Sequence, residues 1–251
     1  MEFLIVCPLA FLAGFVDAIA GGGGLISLPA FLFAGLPVHA AIGTNKLSAS
    51  MGTAVATIRY ALSGYMVWPL AGVGIAMGLL GSWSGSNLAL LTDDTAFKLI
   101  MLVILPFVAF HVLRTKDLSA QADHPYSLVP SLVITGIIAG VVGIYDGFYG
   151  PGTGTFLMLL LTAIGHQDIR CAAGTTKAIN IATNISGLVV FLVNGVVWLP
   201  LGLAAGAFSI AGNWIGAGHF TKKGSAITRP IMLVVIVLFA IKLVVDLITS
   251  L

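Results

Sequence analysis

Two stretches decide the fold: Gly14-Phe15-Val16-Asp17-Ala18-Ile19-Ala20-Gly21-Gly22-Gly23-Gly24 and Gly143-Ile144-Tyr145-Asp146-Gly147-Phe148-Tyr149-Gly150-Pro151-Gly152-Thr153-Gly154. Each is the end of an apolar run that carries one aspartate and then breaks on glycine. After each break comes another apolar run, at 25–35 and 154–165, too short to cross a hydrocarbon core of ~30 Å, which takes ~20 helical residues. Working outward, longer apolar segments fall at 3–19, 43–63, 67–91 and 95–113, and again at 127–144, 172–193, 197–220 and 227–249. Between the two sets lies one polar, charged stretch, 114–126.

The composition agrees. Of 251 residues, 59% are hydrophobic and 8% charged, and the mean hydropathy is +1.09. A soluble domain needs about 25% charge to cover its surface. A soluble enzyme, a disordered chain and a nucleic-acid binder are therefore excluded. The runs are continuous rather than alternating, which predicts an all-α polytopic membrane protein in contact with the lipid bilayer. Residues 1–20 lack the basic start of a signal peptide, carrying Glu2 instead, and are read as part of the mature chain. The two cysteines, Cys7 and Cys171, form no metal-binding or disulfide pattern. No metal site and no cofactor is expected.

The two halves repeat each other. At one constant shift, Gly14, Asp17, Gly21 and Gly23 fall on Gly143, Asp146, Gly150 and Gly152. At a shift two residues longer, Gly43-Thr44-Asn45-Lys46 falls on Gly174-Thr175-Thr176-Lys177, and Gly64, Pro69, Gly81, Trp83 and Gly85 fall on Gly195, Pro200, Gly212, Trp214 and Gly216. This divides the chain into a first membrane repeat, 1–113, a linker, 114–126, and a second repeat, 127–251. Five segments per half would make the repeats inverted. Arg114 and Lys116 then share the cytoplasmic side with Lys222, Lys223 and Arg229, as the positive-inside pattern requires. Four spans per half would put these charges on opposite faces.

Inverted repeats with Gly-broken short segments at matching places point to a secondary transporter site. Backbone freed by such a break survives in a bilayer only where protein, water or substrate satisfies it. Helix N-termini after the breaks carry partial positive charge and suit an anion. The candidate substrate-binding residues are Gly22, Gly23, Gly24, Gly152, Thr153, Gly154 and Thr155 at the breaks. Thr44, Asn45 and Lys46, and Thr175, Thr176, Lys177 and Asn180, join them at the start of the next long segments. Asn184 lies on the same helix face as Asn180. The glycines could instead serve close helix packing. Each lysine could snorkel, or could pair with Asp17 or Asp146. Those two aspartates are candidates for ion coupling, or equally for fixed counter-ions. One lysine could neutralise a substrate while its twin keeps a structural pairing. There is no Gly-Lys phosphate loop, no Gly-x-Ser-x-Gly elbow and no zinc-protease motif, so no enzyme is expected. The reading is a secondary transporter for a small anion, and the alternative is a passive anion channel.

The residues Gly14-Phe15-Val16-Asp17 through Gly21–Gly24, Leu36-Pro37, Ala41 to Lys46, Gly150 to Gly154 and Ala173 to Lys177 resemble the sulfite exporter TauE/SafE family, over essentially the whole chain. That resemblance implies a multi-pass permease of a prokaryotic inner membrane. Its implied substrate is a sulfur oxyanion or organosulfur anion such as sulfite, a sulfonate or sulfoacetate. It also supports the anion-site reading of Lys46 and Lys177.

Overall fold

Gly21 ends the first helix with a left-handed backbone, φ 72°, its N–H bonded to the Asp17 carbonyl. The computed structural model describes residues 1–93, 96, 99 and 126–218. The predicted segments 95–113 and 227–249, most of the linker, and the Lys222-Lys223 loop lie outside them. The described elements are all helices: α1 (Glu2–Ala20), α2 (Gly24–Phe33), α3 (Val38–Leu62), α4 (Trp68–Leu91), α5 (Leu128–Phe148), α6 (Thr153–Ala163), α7 (Ile169–Val193) and α8 (Leu199–Gly218). Helices α1, α5, α7 and α8 are long and apolar enough to cross a membrane. Helices α3 and α4, of 25 and 24 residues, match them in length. Helices α2 and α6 have 10 and 11 residues, about 15 Å at the helical rise, or half a bilayer core.

Each half lends its fourth helix to the other. Helix α8 packs along α1 and α3, while α4 packs along α5 and α7. Small residues allow the contact: a Cβ on Gly81 or Gly85 would strike the backbone of α5, and one on Gly212 or Gly216 would strike that of α1. The neighbours also give direction. Gly81 faces Gly140 and Gly85 faces Ile144, so α4 and α5 run parallel. Gly212 faces Phe11 and Gly216 faces Phe15, so α1 and α8 do too. Gly43, near the start of α3, lies against Phe191 at the end of α7. Gly174, near the start of α7, lies against Tyr65 just beyond α3. Helices α3 and α7, which carry the repeated Gly-Thr-x-Lys motif, therefore run antiparallel.

One boundary differs from the sequence reading. The Gly-Thr-x-Lys motifs do not open their helices. Helix α3 begins at Val38, after Pro37, and α7 at Ile169, where the Asp168 side chain accepts the Arg170 N–H. Lys46 and Lys177 thus lie about two turns inside. The residues at 38–42 and 169–173 mix apolar and polar types, so hydropathy alone starts these helices late. Trp68, Trp83, Trp198 and Trp214 are all exposed on the outer surface.

Candidate functional site

The two glycine breaks cross. A Cβ on Gly21 would collide with the backbone of Gly154, and one on Gly154 with the backbone of Gly21. The Thr155 hydroxyl donates to the Ala20 carbonyl at 2.9 Å. The N-terminal ends of α2 and α6 thus meet at the centre of the bundle, and neither is capped by a side chain. The positive ends of two helix dipoles converge there, while the N–H groups of Leu25, Ile26 and Thr153 are held by the carbonyls of Gly22, Gly23 and Gly150.

Beside this crossing lies a cavity lined by Asp17, Gly21, Gly23, Gly24, Asn45, Lys46, Asp146, Gly150, Thr153, Gly154, Asn180 and Asn184, together with Ser27, Ser48, Thr53, Ser209 and Asn213 and, on its apolar wall, Ala10, Ala13, Gly14 and Ala49. Its volume is about 40 Å³, room for a few water molecules. Gly22, Gly152, Thr155, Thr44, Thr175, Thr176 and Lys177 stand outside the lining. Gly22, Gly152 and Thr155 belong to the crossing breaks. Thr44 Oγ1 accepts the Trp198 N–H at 2.9 Å, fixing the start of α8. Thr175 sits 4.0 Å from Cys171 Sγ. Thr176 Oγ1 is buried with no hydrogen-bond partner.

Each half's lysine pairs with the other half's aspartate. Lys46 Nζ lies 2.5 Å from Asp146 Oδ2, with both side chains 2% exposed. Lys177 Nζ lies 2.8 Å from Asp17 Oδ2. The second shells differ. Lys177 also donates to the Asp17 backbone carbonyl, so it caps the C-terminal turn of α1, where a cation is favoured. Asp17 accepts a further bond from the Thr53 hydroxyl at 3.3 Å. Lys46 has one hydrogen-bond partner among the described residues, Asp146 Oδ2. An ammonium carries three donors, so two remain on the one lysine that borders the cavity. The Thr153 hydroxyl, with one proton to donate, lies between the other oxygen of Asp146 at 2.7 Å and the Gly150 carbonyl at 2.6 Å, which places the carboxylate beside the first residue of α6.

The sequence reading missed Ser27, Ser48, Thr53, Ser209 and Asn213. Ser27, Ser48 and Thr53 share helices with the motifs, and spacing from Lys46 could have found Thr53. Ser209 and Asn213 come from α8, whose passage across to the first half no spacing announces. Asn213 Nδ2 donates to the Ser209 carbonyl at 3.0 Å, while Asn213 Oδ1 and Asn45 Oδ1 are buried without partners.

Half-helices that meet beside a small cavity, inside a bundle with an apolar exterior, define a multi-pass membrane protein. The family described as Sulfite exporter TauE/SafE matches residues 6–243, and the chain belongs to that family. It is 34% identical to a probable membrane transporter protein, ORF9, of Sinorhizobium sp., over 98% of this chain and 93% of that protein. It is 32% identical to a probable membrane transporter protein of Haemophilus influenzae, over 96% of this chain and 94% of the relative. It is also 32% identical to the probable membrane transporter protein YfcA of Escherichia coli, over 95% and 88%. No solved structure matches. The chain is a membrane transporter of this family, not an enzyme.

Proposed function

We propose that the protein is a secondary transporter for a small sulfur oxyanion or organosulfur anion, of the sulfite, sulfonate or sulfoacetate kind, in a prokaryotic inner membrane. Repeats 1–113 and 127–251 are inverted, joined by a cytoplasmic linker, and alternate access around the central cavity under an ion gradient. The antiparallel course of α3 and α7 supports the inversion, as do the paired basic loops. The observation that carries the anion reading is the lining itself. Lys46 and the ends of α2 and α6, which no side chain caps, face one small cavity. Dipole ends and a buried ammonium both favour negative charge.

Thermal denaturation of the purified protein with sulfite, thiosulfate, sulfoacetate and taurine, against carboxylate controls, tests this reading. A ligand that binds the native state raises its stability by mass action. Stabilisation by a sulfur anion and not by the controls is the expected result, and stabilisation by none of them contradicts the assignment. Cysteines placed at Ser119 and Ser225 should both resist labelling from outside intact cells. Strong labelling of only one contradicts the inverted arrangement.

A further inference from the structure

We infer that the carboxylate of Asp146 and the substrate anion compete for Lys46, so that each monovalent anion enters the site together with one proton. This rests on the anion reading above and specifies how the ion gradient acts.

At rest the cavity holds no net free charge. Lys46 is neutralised by Asp146, and Asp17, the other ionisable group in the lining, is neutralised by Lys177 from outside it. An anion that entered unaided would make a site of one cation and two anions around Lys46, in a place where charge is poorly screened. If Asp146 takes a proton as the anion arrives, the balance is kept. The hydrogen bond from Nζ to Oδ2 is replaced by one from Nζ to the anion, and the new carboxyl O–H donates to the same anion. No bond in the anion is broken, and the net charge of the site stays as it was.

Three features suit Asp146 to this exchange rather than Asp17. Asp146 and Lys46 both border the cavity, whereas Lys177 does not. The Asp146–Lys46 contact is one bond, whereas Lys177 grips the Asp17 backbone as well as its carboxylate. The Thr153 hydroxyl lies 2.7 Å from the second Asp146 oxygen, so the carboxyl keeps a hydrogen-bonding neighbour after Lys46 lets go. The groups that face Asp146 from the packed elements are few. Lys46 comes from α3, the Thr153 hydroxyl from α6, and Asp17 from α1 across the cavity. Tyr145 and Tyr149 flank it on α5, and Ser82 and Ser86 of α4 pack against its neighbour Gly147. Lys46 is the one cation among them.

The exchange also prevents slippage. Protonating Asp146 without an anion leaves Lys46 buried and unpaired, and binding an anion without a proton leaves an excess negative charge. Both are costly, so the two ligands bind together or not at all. A monovalent anion is then carried without net charge, and the driving force is the pH gradient rather than the voltage.

The test is calorimetric titration of the solubilised full chain with methanesulfonate, sulfoacetate and thiosulfate, whose charges are constant near neutral pH, in two buffers of different ionisation enthalpy. The difference between buffers counts protons taken up. The expected result is about one proton per methanesulfonate, with affinity falling about tenfold per pH unit where Asp146 is ionised in the free protein. Asp146→Asn should bind with no proton uptake and little pH dependence. Should that variant fail to fold, the wild-type proton count decides. Binding of any of the three anions without proton uptake overturns the inference and leaves the anion reading standing. Uptake lost in Asp17→Asn but kept in Asp146→Asn also overturns it. Binding of none of the three overturns both.

Discussion

Repeat-related places on the two sides of the cavity are filled by opposite kinds of residue. Two positions after Lys46 on α3 stands Ser48, which borders the cavity. Two positions after Lys177 on α7 stands Ile179, which fills the equivalent space against Gly74 and Gly78 of α4. Where α8 crosses α3 it brings Ser209 and Asn213 against Gly52. At the equivalent crossing α4 brings Gly78 and Ser82 to Thr183, and Ser82 spends its hydroxyl on the Thr183 carbonyl. One side is therefore polar and hollow, the other closed by an apolar core of Ile138, Ala139, Val142 and Ile179. The two lysines follow the same division, Lys46 bordering the cavity and Lys177 standing outside it. The two matching places are thus packed differently, and the cavity lies on one side.

The largest expected effect concerns what the two sides share. Gly154→Ala puts a Cβ into the backbone of Gly21, where neither chain can yield. The folded protein should be lost, as judged by monodispersity after extraction. Gly64→Ala is the contrast: its φ is +73° but nothing lies within 4 Å of the added atom, so the cost should be only about 1 kcal/mol. Next, Lys177→Met removes the cap on α1 and leaves Asp17 buried without its partner. It should cost about 3–5 kcal/mol in thermal or denaturant unfolding. A smaller effect, about 3 kcal/mol, is expected for Ile179→Ser, which hollows the dry side. The mirror change, Ser48→Ile, should stop anion binding, with an overpacking cost of only about 1–3 kcal/mol. Equal effects of the two changes on binding would contradict the division. The smallest effect is that of Thr53→Ala, which removes one hydrogen bond to Asp17 and should cost about 1 kcal/mol.

Much of this was legible in the sequence, for definable reasons. The described helices, the short α2 and α6 among them, and the breaks before those two follow from hydropathy and glycine, because a lipid solvent punishes every departure from a hydrogen-bonded helix. Lys46, Lys177, Asp17 and Asp146 stood out because buried charge is rare, and because each recurs. Their reciprocal pairing across the halves was not legible, since it needs α3 and α7 to run antiparallel and side by side. Nor were Ser209 and Asn213, which reach the cavity only through the exchange of α4 and α8. The difference between the lysines lies in the backbone carbonyl that Lys177 reaches and Lys46 does not, and spacing carries no trace of that contact.

The central claim is that the two lysines have parted in role, Lys46 serving the anion and Lys177 holding the fold. It is tested most directly by the affinity of Lys46→Met and Lys177→Met for the sulfur anion that best stabilises the wild type, measured side by side on folded protein. A charge-assisted hydrogen bond is worth roughly 1.5–3 kcal/mol, so Lys46→Met should bind about ten- to a hundredfold more weakly. Lys177→Met made together with Asp17→Asn, which leaves no unpaired carboxylate in the lining, should stay within about threefold of wild type, a difference of roughly 0.6 kcal/mol. Wild-type affinity in Lys46→Met, or an equal loss in both variants, would contradict the account.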